Sequence, residues 1–251
     1  MTHPRSSALN VDGSPVNVLQ GGKGKRVLYL HDELSSEWNL FLDALSEGSD
    51  VTSIEMPGFG TTARPPHIET VADIAFLMAD VLDQVAGGER VALAGGSVGG
   101  WIALETAVLV PHLLSHLILI GSPGLYVSDH TPTDYFVMTP DERSSLLFER
   151  PESEPKVDED SWIRNSSMTA RLVWQPRYVS PKLKHRLNRL RQPSLVLWGE
   201  QDRFLPSGFG SLVAKELGAT FQVIPDAGHF PVWDVPDETA SGVLKFLEAN
   251  V

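Results

Sequence analysis

The sequence predicts an α/β fold, a doubly wound and mostly parallel sheet with helices on both faces. Three observations carry that prediction. Short β-rich apolar runs recur along the chain, and stretches with helical periodicity separate them. The runs are continuous rather than alternating, the pattern of strands covered on both faces. A chain of 251 residues is long enough to bury a sizeable core.

Taken in order, the first twenty-odd residues offer one antiparallel hairpin turning at Asp12-Gly13. Residues 26–30 (RVLYL) form the first long strand and residues 51–55 (VTSIE) the next, with a helix over 38–45 between them. The clearest helix covers residues 70–85. Val71, Ile74, Leu77, Met78, Val81 and Leu82 recur there at helical spacing behind Thr70, whose hydroxyl suits an N-cap. A strand over 90–94 (RVALA) leads into a helix over 98–110, and further strands follow at 117–120 (LILI), 194–198 (SLVLW) and 220–224 (TFQVI). Helices over 207–217 and 236–247 complete the alternation.

The rhythm breaks between residues 125 and 191. This stretch has no convincing strand, is rich in proline and charge, and carries the acidic run ERPESEPKVDED at 149–160. It reads as a mostly helical insertion on top of the sheet, so that residues 1–124 and 192–251 build the core and 125–191 the insertion. Its last part, 181–191, reads as a helix with Leu183, Leu187 and Leu190 on one face. Lys182, Lys184, Arg186 and Arg189 form a solvated basic face.

Composition narrows the function. With 20 Lys and Arg against 32 Asp and Glu, the formal charge of -12 repels phosphate backbones, so broad nucleic-acid binding is not expected. The absence of cysteine excludes disulfides, thiolate metal sites and a cysteine nucleophile. The opening MTHPRSSALNVDG has no apolar core of a signal peptide, and no apolar run approaches a membrane span. The expectation is a soluble cytoplasmic protein that acts on a small molecule, with no nucleic-acid or membrane partner.

The strongest chemical signal is Gly95-Gly96-Ser97-Val98-Gly99, immediately after one strand and immediately before a helix. A serine at such a junction turns so sharply that side chains two residues either side would clash, hence the glycines. The turn exposes the hydroxyl and sets it over the helix N-terminus, where backbone N–H groups favour developing negative charge. A serine nucleophile needs a base, and the base an orienting acid. His229 stands in DAGHF just after the last strand, and Asp202 in WGEQD just after the strand before it. Both therefore sit at the carboxyl ends of strands, where open α/β sheets place their sites. Glu200 and Asp129 are rival acids. Asp226 and Asp234 flank the histidine but read as loop and helix-start residues. His112 and His116 have the i, i+4 spacing of a metal face, yet no third ligand accompanies them, and no metal site is expected.

These motifs together resemble the α/β-hydrolase fold superfamily from about residue 26 to the end. The features that carry the resemblance are the His31 loop after the first long strand, the MPGFG turn at 56–60, GGSVGG at Ser97, WGEQDRFLP at 198–206 and AGHFPVWDVP at 227–236. The order Ser97, Asp202, His229 is that family's triad order. The resemblance implies an α/β-hydrolase core with residues 125–191 as a helical cap over the site. Within that cap, 171–190 looks like the cap helices of ester- and C–C-bond-cleaving members. It also implies backbone N–H groups of Glu33 and Val98 as oxyanion donors, and no cofactor. Leu34, Trp162, Trp174 and Phe230 become candidate substrate-facing residues.

One departure stands out. Relatives carry His-Gly-x after the first long strand, whereas this chain has His31-Asp32-Glu33. Two carboxylates beside a developing oxyanion are unfavourable unless they point away or pair. The expected function is a serine hydrolase that cleaves a carboxylic ester or related acyl bond of a partly hydrophobic substrate. The alternatives are C–C bond hydrolysis of ring-cleavage products by the same triad, or a ligand-binding module with little turnover. An acyltransferase or lactonase is a more distant option.

Overall fold

The computed structural model describes residues 4–11, 13–127, 132–175 and 177–250. The chain opens with the antiparallel strands β1 (Arg5–Val11) and β2 (Ser14–Gly22), the hairpin expected from the sequence; Asp12 of its turn lies outside the described residues. There follow β3 (Lys25–Leu30), α1 (Leu40–Ser46), β4 (Ser49–Ile54), α2 (Val71–Ala86), β5 (Val91–Gly96), α3 (Ser97–Leu109) and β6 (Leu114–Ile120). Between β6 and the next strand of its sheet lie β7 (Gly124–Leu125), α4 (Pro140–Leu147), α5 (Glu159–Val173) and β8 (Val179–Ser180). The core then resumes with β9 (Ser194–Gly199), α6 (Ser207–Leu217), β10 (Thr220–Ile224), a short α7 (Pro231–Asp234) and α8 (Pro236–Ala249).

Eight strands form one sheet in the order β1-β2-β4-β3-β5-β6-β9-β10. From β4 to β10 every neighbouring pair is parallel, and β1 and β2 add an antiparallel edge. The continuous apolar runs have the cause the sequence suggested. Successive residues of one strand point to opposite faces. Leu28 and Leu30 of β3 pack on one side with α2 and α3, whereas Val27 and Tyr29 pack on the other with Phe41, Leu42 and Leu45 of α1 and Val243 and Phe246 of α8. β10 departs from that pattern. It closes the sheet edge, and only Ile224 of its five residues is buried.

Local chemistry explains where the helices begin and end. Thr70 caps α2 in a reciprocal box with Asp73, and Gly87 closes it with a left-handed φ of 55°. Inside the insertion, Thr139 and Glu142 box the start of α4, and Asp158 caps α5 with Glu159 and Asp160 in its first turn. Part of the acidic run at 149–160 is thus a helix N-terminus, where negative side chains are favourable. Two expectations for this segment are corrected. β7 and β8 pair in parallel as a two-stranded ribbon, since the segment leaves and rejoins the core side by side. Residues 183–189 form a 3₁₀ turn rather than an α-helix, burying Leu183 and Leu187 while Leu190 is half-buried.

The decisive packing for the site is at the junction of β5 and α3. Gly99 lies so close to the β3 exit that a Cβ there would come within 2.2 Å of the His31 carbonyl oxygen and 2.4 Å of that of Leu30. Both obstacles are backbone. Gly99→Ala is therefore expected to lower thermal stability by about 1–3 kcal/mol or more. By contrast Gly208→Ala, at an exposed position in α6 with nothing within 4 Å, should be neutral or stabilising by up to about 1 kcal/mol. Thermal unfolding of the two variants checks the contrast; equal melting temperatures would contradict it.

Candidate active site

Ser97 is the first residue of α3 and has a left-handed φ of 44°, a conformation a serine adopts only when its surroundings hold it there. The constraint is steric and comes from both sides. A Cβ at Gly95 would meet the Gly99 carbonyl oxygen at 2.5 Å, and Gly99 is pinned against the β3 exit. The turn presents the Ser97 hydroxyl toward the two loops that follow β9 and β10.

From those loops come the two partners. Ser97 Oγ lies 3.0 Å from His229 Nε2, and His229 Nδ1 lies 2.8 Å from Asp202 Oδ2. Asp202 is itself fixed, accepting from the backbone N–H groups of Phe204 and Leu205 at 2.9 and 2.8 Å through Oδ1. All three side chains are buried. The other acids named from the sequence stand as follows. Glu200 is exposed and receives a hydrogen bond from Gln201, Asp226 is exposed and pairs with Arg150, and Asp129 lies outside the described residues. Burial alone would push the His229 imidazole down. The charge and hydrogen bond of Asp202, with the charges of Glu33 and Asp32, outweigh burial and hold it above its ordinary 6.5.

Asp234 does more than begin a helix. It accepts from the backbone N–H of Gly228 at 2.8 Å, from those of Glu149 and Arg150 at 3.0 Å each, and from the Ser153 hydroxyl at 2.7 Å. A single buried carboxylate therefore ties the histidine loop to the inserted segment. The His229 N–H adds to that tie by donating to the Leu147 carbonyl at 2.8 Å. The ring of Phe230 stacks edge-on against His229 with centroids 4.8 Å apart, and Phe204 does the same from the other side.

The loop after β3 holds a further surprise. His31 Nε2 accepts from the Met56 N–H at 3.1 Å while Nδ1 meets the Asp32 carbonyl at 2.5 Å, which ties this loop to the MPGFG turn. Burial keeps that ring neutral, with its pKa lowered to about 4. Asp32 is buried but satisfied, accepting from the Leu34 N–H and the Trp233 indole at 2.8 Å each. The expectation for Glu33 was a backbone donor. Its side chain in addition meets the serine. Glu33 Oε1 accepts from Ser97 Oγ at 3.1 Å and from the Tyr135 hydroxyl at 3.3 Å, and Oε2 faces the Val98 N–H at 3.5 Å. A carboxyl oxygen thus stands where the Val98 amide would meet an acyl oxygen.

Of the remaining sequence candidates, Leu34 and Phe230 are buried at the site, and the Leu34 carbonyl accepts from Asn165 of α5 at 3.0 Å. Trp162 lies beneath the Arg143 guanidinium at 3.8 Å, and Trp174 is 58% exposed near Arg177. His116 bonds to Ser115 and to the Asn250 carbonyl, and among the described residues no group of three potential ligands could hold a metal ion. Also among those residues, no helix is long and apolar enough to cross a membrane. Sequence reasoning did not single out Tyr135, Tyr178 or Asn165, and it read Asp234 of the AGHFPVWDVP motif only as a helix-start residue.

The family model for the alpha/beta hydrolase family matches residues 27–241. The chain belongs to this family. One relative, the 2-hydroxy-6-oxononadienedioate/2-hydroxy-6-oxononatrienedioate hydrolase of Paraburkholderia phymatum, is 28% identical over 92% of this chain and 94% of its own length. Another, the 2-hydroxy-6-oxo-6-(2'-aminophenyl)hexa-2,4-dienoic acid hydrolase of Metapseudomonas resinovorans, is 25% identical over 95% of this chain and 89% of its own. Among solved structures, a membrane phospholipase A described as a bacterial virulence factor superposes with a TM-score of 0.83. It is 23% identical, over 98% of this chain and 86% of its own, a likeness of fold.

The Asp32 carboxyl yields a prediction on stability. Burial, then the neighbouring Glu33 charge, raise its pKa from 3.8 to about 7, against the pull of its hydrogen bonds. The folded state therefore binds this proton more tightly than the unfolded chain. That contribution is complete below about pH 4 and is lost as pH rises through about 7. Asp32→Asn should flatten the fall in melting temperature over that window. Parallel curves for the variant and the parent would contradict it.

Proposed function

We propose that this protein is a serine hydrolase that cleaves a carboxylic ester or related acyl bond of a small, partly hydrophobic substrate. The observation that carries the reading is the unbroken chain Ser97 Oγ, His229, Asp202, with contacts of 3.0 and 2.8 Å, buried at the carboxyl ends of parallel strands. Ser97 Oγ attacks the acyl carbon as its proton passes to His229 Nε2. Asp202 holds the Nδ1–H tautomer and stabilises the imidazolium. His229 returns the proton to the leaving group, and water, deprotonated by the same ring, then releases the acid. The side chains of Phe230 and Leu34 support a partly apolar acyl or alkyl group. No cofactor is required by these steps, and the inserted segment 125–191 is the cap in this reading.

A second reading is hydrolysis of a carbon–carbon bond in a ring-cleavage product. It is favoured by the names of the two relatives above, which match nearly the whole chain. The same three residues would serve, with the carbanion side of the cleaved bond taking the proton from His229.

Fluorophosphonate labelling followed by intact mass tests the shared core of both readings. One adduct per chain is expected, lost in Ser97→Ala at unchanged melting temperature, with ester turnover falling about 10³-fold or more. A panel of p-nitrophenyl esters beside a 2-hydroxy-6-oxo-dienoate then separates the two. Label or turnover that survives in Ser97→Ala would contradict the nucleophile. Folded wild type that takes no label at any pH would favour a ligand-binding role.

A further inference from the structure

Between the loop that follows β4 and one face of α5 lies an open cavity of about 560 Å³, a size that takes a small molecule. Arg64 lines it from the loop, and Arg164, Ser167, Met168 and Arg171 line it from the helix. Those four helix positions are spaced i, i+3, i+4 and i+7, which sets them on one face over two turns. The buried Met168 packs so closely on Gly58 that a Cβ there would come within 2.6 Å of its sulfur. Asn165 adds a polar tie by accepting from the Gly60 N–H at 3.0 Å. Loop and helix therefore touch, and the cavity opens along the seam between them.

The lining is basic in an acidic chain. The protein carries a formal charge of -12, yet among the described residues no acidic side chain lines this cavity. None of the three guanidiniums belongs to an ion pair among those residues. Two of them are nonetheless held by backbone. Arg64 Nη1 donates to the Ile68 carbonyl at 2.7 Å and to those of Pro65 and Pro66 at 3.3 Å each, and Arg164 Nη1 donates to the Gly60 carbonyl. The Glu55 carboxyl at the start of the loop is turned elsewhere, accepting from Asn17, Ser36, Thr61 and Thr62. Guanidiniums stay charged at any pH the protein meets, so three of them around one cavity repel one another until an anion arrives.

We propose that this seam is a binding site for a phosphate group carried by a small molecule, with Arg64, Arg164 and Arg171 as its ligands and the Ser167 hydroxyl as a further donor. The chemistry selects phosphate over carboxylate. A carboxylate is planar, carries one charge, and is satisfied by a single bidentate guanidinium. A phosphomonoester carries about two charges and three acceptor oxygens, enough to engage guanidiniums that arrive from different elements. No residue of the Ser97, His229, Asp202 chain lines the cavity, so the site stands apart from the serine-hydrolase reading. Because Arg64 belongs to the loop and the other two arginines to α5, the bound anion also cross-links these elements, and binding raises the stability of the folded chain.

The test is calorimetric titration with pyrophosphate, glycerol 3-phosphate and succinate at a constant ionic strength of about 0.15 M, beside melting temperatures with each probe. The proteins are wild type, Arg164→Gln, Arg171→Gln, the two combined, and Arg189→Gln/Lys215→Gln, which removes as much charge outside the cavity. Arg164 and Arg171 are exposed, so their replacement leaves folding intact, whereas Arg64 holds its own loop and stays in place. Wild type is expected to bind one phosphate compound per chain, with succinate at least about tenfold weaker. The melting temperature should rise by about 5 °C or more at a hundredfold excess over Kd. Each single variant should weaken binding about tenfold, and the combined variant should lose both binding and the shift, while the control pair keeps them. Several results overturn the proposal: no saturable binding of either phosphate compound to wild type, succinate bound as tightly, or binding that survives in the combined variant. Equal loss in the control pair also overturns it, by reducing the effect to net charge. A chain that ignores the soluble probes but sediments with phosphatidic acid vesicles binds a membrane surface instead, which contradicts a small-molecule ligand.

Discussion

The site depends on one steric constraint, the close approach of Gly99 to the carbonyls of Leu30 and His31. A backbone contact of that kind admits no side chain. It seats the first turn of α3 against the exit of β3 and forces Ser97 into a left-handed conformation. From the same contact follow the height of the serine hydroxyl, its reach to His229, and the nearness of the 31–34 loop to the nucleophile. The strain at Ser97 is of order 1–3 kcal/mol. It is sustained because β3, β5 and α3 are each locked in the buried core.

Around that constraint lies a dense set of buried carboxyls. Asp202 orients the histidine, Asp234 ties the histidine loop to the inserted segment, Asp32 ties its own loop to Trp233, and Glu33 reaches the serine itself. Three of the four are fully explained by donors that the fold brings to them. Glu33 differs because its donors include the nucleophile and the amide next to it, so its charge is coupled to the reaction centre rather than to the scaffold. Asp202 chiefly, and the Glu33 charge after it, raise the proton affinity of His229 against its burial.

Much of this was legible in the residues. The strand and helix order followed from apolar runs and periodicity. The Ser97 turn, Asp202 and His229 followed from short motifs whose spacing reflects backbone geometry. The chain also announced its departure at His31-Asp32-Glu33, though not its form, since no pattern tells whether a carboxylate turns toward or away from a neighbour 64 residues on. Tyr135 and Asn165 were illegible for the same reason. They act across long sequence separations from segments without periodicity, where only the assembled structure decides which polar groups meet. The paired ribbon of β7 and β8 escaped because two-residue strands carry no signal.

The most direct measurement is an NMR titration of the His229 ring in wild type and in Glu33→Gln. With Asp202 and then the Glu33 charge raising His229 against its burial, the wild-type ring titrates above its ordinary 6.5, and the variant titrates at lower pH. A wild-type midpoint at or below the ordinary value, or one that Glu33→Gln leaves in place, would contradict the coupling.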